Sequence, residues 1–276
     1  MRAAVTVPGS VTAGLEPGVC RHRVADALAQ ARQARGLTQQ QAARALDWSL
    51  SKLTRIEAGT SGLQVTDLRA ALDLYQVHDP ARTGRLAELA RAGRRRPWYS
   101  QHHQVTASAL GLYLDTERSA TAITGYRTRT VPGLLQTPGY AHAILLARGR
   151  DRVAERVALL AARQELLRSE DCPSICYVLE EGILRRPAGG PAVMAAQLDR
   201  LREAAAHPCI TVCVVPFTAA VPPAGDLTAF SLAGGTSSAW HETAGACLAP
   251  YGPAEGQGHR DHMTRLLALS VPVEAL

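Results

Sequence analysis

Aromatic residues are scarce in this sequence. Phe, Trp and Tyr make up 4% of its 276 residues, so its core must be filled mainly by Ala, Leu and Val. Lysine is scarcer still. Lys52 is the single lysine, against 29 arginines. With the abundance of alanine, that bias is the mark of GC-rich coding, and it discounts any function read from arginine numbers alone. No apolar run reaches the roughly 18 residues of a membrane span. The opening stretch "MRAAVTVPGSVTAGLEPG" is broken by Pro8, Gly9 and Gly14 and lacks the apolar core of a signal peptide. Residues 1–20 therefore read as a flexible leader, and the protein as cytoplasmic. Three phosphate and nucleophile signatures are also missing: the Gly-x4-Gly-Lys-[Ser/Thr] loop, the Gly-x-Ser-x-Gly elbow, and a Gly-x-Gly-x-x-Gly between strand and helix.

What is present suits a globular protein of about two domains, with 46% hydrophobic and 20% charged residues. The charge is uneven. Residues 1–96 hold 15 Lys/Arg against 8 Asp/Glu, a net of +7, and the remainder 15 against 16, a net of −1. The excess positive charge belongs to the first third, which points to a polyanionic partner for that part.

That first third has the spacing of five short helices. From Arg21, Val24, Leu28 and Ala31 recur at i, i+4, i+7, and Gly36 stops the run before Leu37 enters the core. Thr38 is a good N-cap for a second helix through Leu46. Asp47 and Trp48 make a turn, with Trp48 filling the gap between helices. Ser49 caps a third helix that runs to Ala58 and stops at Gly59. Leu53 and Ile56 are its inward pair. Leu68, Leu72 and Tyr75 mark a fourth helix, and Leu86 with Leu89 a fifth.

Two short helices joined by a tight turn describe a helix-turn-helix. The stretch "LTQQQAARALDWSLSKLTRIEAG" (37–59) resembles the lambda-repressor/Cro-like class, often called the XRE type: a Thr-Gln opening, a small residue at the helix crossing (Ala43), and an Arg-Ile-Glu-x-Gly close. Asp47 departs from the pattern, standing where Gly is common, and can adopt the left-handed conformation at some cost. Leu37, Ala43, Trp48, Leu53 and Ile56 form the motif core. On the outer side, Leu50, Ser51, Thr54 and Arg55 are expected at base edges. Arg55 either grips guanine with two hydrogen bonds or pairs with Glu57. Gln39 and Gln40, at a helix start, suit phosphate contacts. Lys52, a compact charge on a flexible stem, suits phosphate neutralisation, unless it is composition drift on a solvated face. The run "RAGRRRPW" (91–98) reads as a basic linker within reach of DNA. Proteins of the resembled class read near-palindromic double-stranded sites as dimers, which implies a homodimer and a nucleoid-associated location.

Beyond residue 98 strands and helices alternate between Gly/Pro turns, as in an α+β domain. Strands are expected at 175–179, 210–216, 227–232 and 238–246, and helices at 152–168, 191–206 and 259–270. In the 152–168 helix, Val153, Val157, Leu160, Gln164 and Leu167 share a face, with Glu155, Arg156 and Arg163 outside. The organisation is thus a leader (1–20), an all-α helix-turn-helix domain of five short helices with its basic linker (21–97), and a C-terminal α+β domain (98–276). "YRTRTVPGLLQTPGYAHAIL", "YVLEEGILRR" and "ITVCVVPF" resemble an antitoxin-like domain carried behind this helix-turn-helix type in many actinobacterial regulators. The resemblance implies dimerisation, or binding of a small protein encoded nearby. In its own chemistry "RTVPGLLQT" is a rigid turn opening a helix, and Val131, Pro132, Gly133, Leu134 and Leu135 belong either to the domain core or to a partner or dimer surface.

No enzyme constellation stands out, and neither cofactor nor metal is expected. Cys172/Cys176 and Cys209/Cys213 share a Cys-x3-Cys spacing, conceivable for a four-cysteine zinc site, but "CITVC" suits a buried strand better than a zinc knuckle. His259 and His262 could share a helix face. Glu180 and Glu181 read as a surface pair. Three functions follow: a DNA-binding regulator whose rear domain binds a protein or dimerises, a one-component regulator whose rear domain senses a small molecule, and a DNA-tethered zinc hydrolase.

Overall fold

A proline at the first helical position needs no hydrogen-bond partner for its nitrogen, and Pro17 opens the first helix, α1 (Pro17–Ala34). The computed structural model describes residues 11–220, 225–233, 235–241 and 253–275. The chain divides into two units, Met1–Ser100 and Gln101–Leu276. Helix α1 starts before the expected end of the leader at residue 20, because Leu15, Val19 and Cys20 are all buried and draw that segment into the core. Val24, Leu28 and Ala31 point inward, as their spacing predicts.

Four further helices complete the front unit: α2 (Gln39–Ala45), α3 (Leu50–Glu57), α4 (Val65–Leu74) and α5 (Pro80–Gly93). Helix α1 packs against α3, α4 and α5. Gly93 permits a close approach of α1 to α5, since a Cβ there would lie 2.9 Å from the Arg21 side chain, whose Nη1 donates to the Gly93 carbonyl at 2.9 Å. The basic run after α5 is tied back to the same unit. Arg94 donates to Gln64, Arg95 to the Leu15 carbonyl and Arg96 to Ser100.

The rear unit is α+β. It comprises α6 (Ser108–Arg118), β1 (Ala120–Arg127), α7 (Pro138–Ala147), α8 (Val153–Gln164), β2 (Ser174–Glu180), α9 (Glu181–Arg185), α10 (Pro191–Ala205), β3 (Ile210–Val215), β4 (Leu227–Leu232), β5 (Ser237–His241), α11 (Pro253–Leu269) and β6 (Val271–Pro272). The strands form a six-stranded sheet in the order β5-β4-β1-β2-β3-β6. The central trio β1-β2-β3 is parallel, and the outer strands are antiparallel to their neighbours. Parallel neighbours need helical crossovers: α7 and α8 join β1 to β2, and α9 and α10 join β2 to β3.

On one sheet face Tyr126, Val178 and Val215 pack with Met263 and Leu266 of α11. On the other, Tyr113 of α6 sets its ring edge-on to Phe230 and Trp240. Gly125 lies under the Tyr177 ring, which a Cβ would meet at 2.6 Å. Beyond it Arg127 is buried, donating to the Leu227 carbonyl and to Thr228 Oγ1. Asp226 fastens the exit of β1 by accepting from the Thr128 N–H and hydroxyl and from two nitrogens of Arg129.

Two expectations for this unit are corrected, and one choice is decided. Leu134 and Leu135 are fully buried, Val131 and Pro132 buried and Gly133 half-buried, so of the two readings of residues 131–135 the domain core holds. Their carbonyls are satisfied from within: Gln136 donates to Val131, Gln164 to Gly133 and Gln197 to Leu135. Arg163 does not face outward but makes two hydrogen bonds, at 2.9 and 2.8 Å, to the buried Glu117, which ties α8 to α6. Glu180 and Glu181 are not a surface pair. Glu180 accepts from the Tyr126 hydroxyl, and Glu181 accepts from the Phe217 N–H and Arg185. Cys247, the expected strand beyond residue 241 and the side chain of His259 lie outside the described residues.

Candidate nucleic-acid interface

The helix-turn-helix is assembled by local caps. Thr38 Oγ1 accepts from the Gln41 N–H, and Gln41 Oε1 accepts from the Thr38 N–H, a reciprocal box that starts α2. Helix α2 ends at Ala45, and Asp47, two residues on, takes φ +54°, the left-handed turn expected there. Ser49 then caps α3 by accepting from the Lys52 N–H at 3.1 Å. Gly59, at φ +67°, closes the motif, and the His22 ring of α1 lies against it, 2.8 Å from where a Cβ would be. Burial lowers the affinity of His22 for a proton, with Arg21 adding to that effect and Asp26 opposing it.

Of the motif core, Ala43, Leu53 and Ile56 are buried, whereas Leu37 and Trp48 are half-buried. The half-buried Trp48 ring carries the Lys52 ammonium, 4.2 Å from the ring centre.

The end of α3 is anchored by a residue that sequence reasoning did not single out. Arg32 of α1 makes two hydrogen bonds to Glu57, at 2.7 and 2.9 Å, and a third to the Leu37 carbonyl at 2.6 Å. Gln39 donates to the same carboxylate at 2.8 Å. Glu57 therefore holds three segments together and is not the partner of Arg55. The Tyr75 hydroxyl is pushed up to about 12 by burial and by the Glu57 charge nearby. The advance signal for the clamp is the position of Arg32, four residues after Leu28 on the inward side of α1.

With Leu53 and Ile56 inward, Leu50, Ser51, Thr54 and Arg55 all lie exposed on the opposite side of α3. Leu50 is 47% exposed, unusual for a leucine that serves only packing. Arg55 contacts its own helix through the Ser51 carbonyl at 3.3 Å, leaving the rest of its donor fork outward. Gln40 is exposed. Gln39, expected at phosphate, is instead occupied between Glu57 and Thr54, whose hydroxyl lies 3.4 Å from Gln39 Oε1. Lys52 also has an internal partner: its ammonium donates to Asp67 of α4 at 2.9 Å.

Comparison with known families agrees with this division. A profile described as a helix-turn-helix domain matches residues 23–86, from within α1 into α5. A second, described as a domain of unknown function (DUF5753), matches residues 110–275, more than half of the chain. The chain belongs to the DUF5753 family. No curated protein and no solved structure matches it. In this DUF5753-family protein the helix-turn-helix match supports a DNA-binding regulator, and no helix among the described residues is long and apolar enough to cross a membrane.

Proposed function

We propose that this protein is a sequence-specific transcriptional regulator of the XRE type, antitoxin-like in organisation, which binds a near-palindromic operator as a homodimer in the cytoplasm. The observation that carries the proposal is the exposed set Leu50, Ser51, Thr54 and Arg55 on a helix held rigidly by its buried side and by the Arg32–Glu57 clamp. Side chains aimed by a fixed scaffold are what major-groove reading requires. The net charge of +7 over residues 1–96 supplies the sequence-independent attraction to phosphate. In this reading Arg55 contacts guanine, Ser51 and Thr54 contact base edges, and Leu50 offers an apolar contact to a thymine methyl. Gln40 and the backbone at the start of α2 meet phosphate. Lys52 positions α3 through Asp67 more than it neutralises phosphate.

The rear unit dimerises, binds a small partner protein, or does both, and performs no catalysis. With residues 131–135 in its core, the surface that serves it lies elsewhere on the unit.

The test is selection of bound duplexes from a random library with the full chain, followed by titration of the recovered site. A recovered inverted repeat, with half-sites about one helical turn apart, is the expected result. Enrichment of no sequence over bulk duplex would overturn the proposal. Light scattering on the same preparation measures the oligomeric state, and a monomer bound to a single half-site would remove the homodimer from it.

A further inference from the structure

The Cys-x3-Cys spacings suggest one grouping of cysteines, and the fold makes another. Cys172 lies just before β2, and Cys209 just before β3. Because these strands are parallel neighbours, both residues come to the same end of the sheet, where the Ile175 N–H donates to the Cys209 carbonyl at 2.7 Å. His207 stands in the short turn between α10 and β3 and brings its ring to the same place. Its Nδ1 accepts from the Cys209 N–H at 3.3 Å. The Cys172 and Cys209 sulfurs and a His207 ring nitrogen all lie within 4.8 Å of one another, and all three residues are half-buried. Cys176 and Cys213 stand apart from this cluster: they lie within strands, and Cys213 packs against the Tyr126–Leu266 core.

Two sulfurs and one imidazole nitrogen make a borderline-soft ligand set, matched to zinc(II) and poor for magnesium or calcium. The geometry is close to what zinc needs. Tetrahedral bonds of about 2.3 Å to sulfur and 2.0–2.1 Å to nitrogen place the ligand atoms roughly 3.5–3.8 Å apart, a contraction of at most about 1.3 Å from the separations seen. We propose that Cys172, His207 and Cys209 form a zinc(II) site with its fourth position open to solvent. The ion binds as the two thiols release their protons to solvent and the His207 ring gives up the hydrogen bond that its Nδ1 accepts from the Cys209 N–H, and it pins the start of β2 to the turn entering β3. The site reverses the expectation that the cysteines hold no metal, and it stands independently of the reading of DNA.

Zinc retained by the full chain, prepared under reducing conditions, is measured against an equimolar chromophoric chelator, and cobalt(II) is substituted to reveal thiolate-to-metal charge transfer. About one equivalent per chain is expected, lost in Cys172→Ser, His207→Ala and Cys209→Ser and kept in Cys176→Ser. Alkylation of the unmutated protein, mapped by peptide mass spectrometry, serves if a variant fails to fold. Zinc should slow labelling of Cys172 and Cys209 several-fold and leave Cys213 unchanged. No retained zinc with equal labelling at all cysteines would overturn the site, as would metal kept by the three variants, preferential retention of copper(I), or a Cys172–Cys209 disulfide in place of bound metal.

Discussion

At the scale of single residues, the front unit separates side chains that hold α3 from side chains that α3 presents. Glu57 is of the first kind. Its side chain is 4% exposed and its carboxylate is shared by Arg32 and Gln39, so Glu57→Ala leaves a buried guanidinium uncompensated. Loss of about 3–5 kcal/mol from the front unit is expected, measured by denaturant unfolding. Arg55 is of the second kind. Arg55→Ala should leave unfolding unchanged and weaken binding to the selected operator by about 1–3 kcal/mol, relaxing preference at one base pair. A uniform loss on all duplexes would instead assign Arg55 to phosphate. For Lys52→Ala, whose partner pair is partly exposed, the expected stability cost is at most about 1 kcal/mol. An unchanged salt dependence of binding would support its positioning role, and a flatter one its phosphate role.

At the scale of elements, the turn between α2 and α3 and the contact of α1 with the motif's end are the points of tension. Asp47 occupies the left-handed region at φ +54°, where glycine has no penalty. Asp47→Gly should stabilise the front unit by up to about 1 kcal/mol, a gain that a destabilised variant would refute. His22 sits over Gly59 with its proton affinity lowered by burial. Its folded-state pKa lies below the ordinary value of 6.5, so the unfolded chain takes up the proton first. Stability is full above that value and falls as pH drops below it. Thermal unfolding from pH 8 to 5.5 should show this acid slope, reduced in His22→Gln. Much of this level was legible in advance, since Thr38, Ser49, Gly36 and Gly59 each bound a helix by local chemistry. The Gln41 arm of the Thr38 box was equally local and was passed over.

At the scale of the whole molecule, two units with separate cores should respond separately to damage. Gly125→Ala sets a methyl against the Tyr177 ring and is expected to lower the unfolding midpoint of the rear unit, while Glu57→Ala lowers that of the front. If either substitution shifted a single common transition, the units would be unfolding as one. The fold class follows from pattern alone, because apolar spacing changes from helical to mixed after residue 98. The strand order does not, because hydrophobic alternation says which residues are buried but not which strand lies beside which.

By itself the sequence determined the five helices of the front unit, the caps Thr38 and Ser49 of two of them and the outward set Leu50, Ser51, Thr54 and Arg55, since all depend on spacing within a few residues. Only the tertiary structure decided the partners that lie far apart along the chain. Glu57 belongs to Arg32 rather than Arg55, Lys52 to Asp67, Arg163 to Glu117, and Leu134 and Leu135 to the core. Cys172 meets His207 and Cys209 rather than Cys176. The physical reason is common to all of them. Charges, thiols and buried turns are satisfied by whatever the fold brings within a few ångströms, and a sheet of parallel strands brings together residues separated by an entire helix.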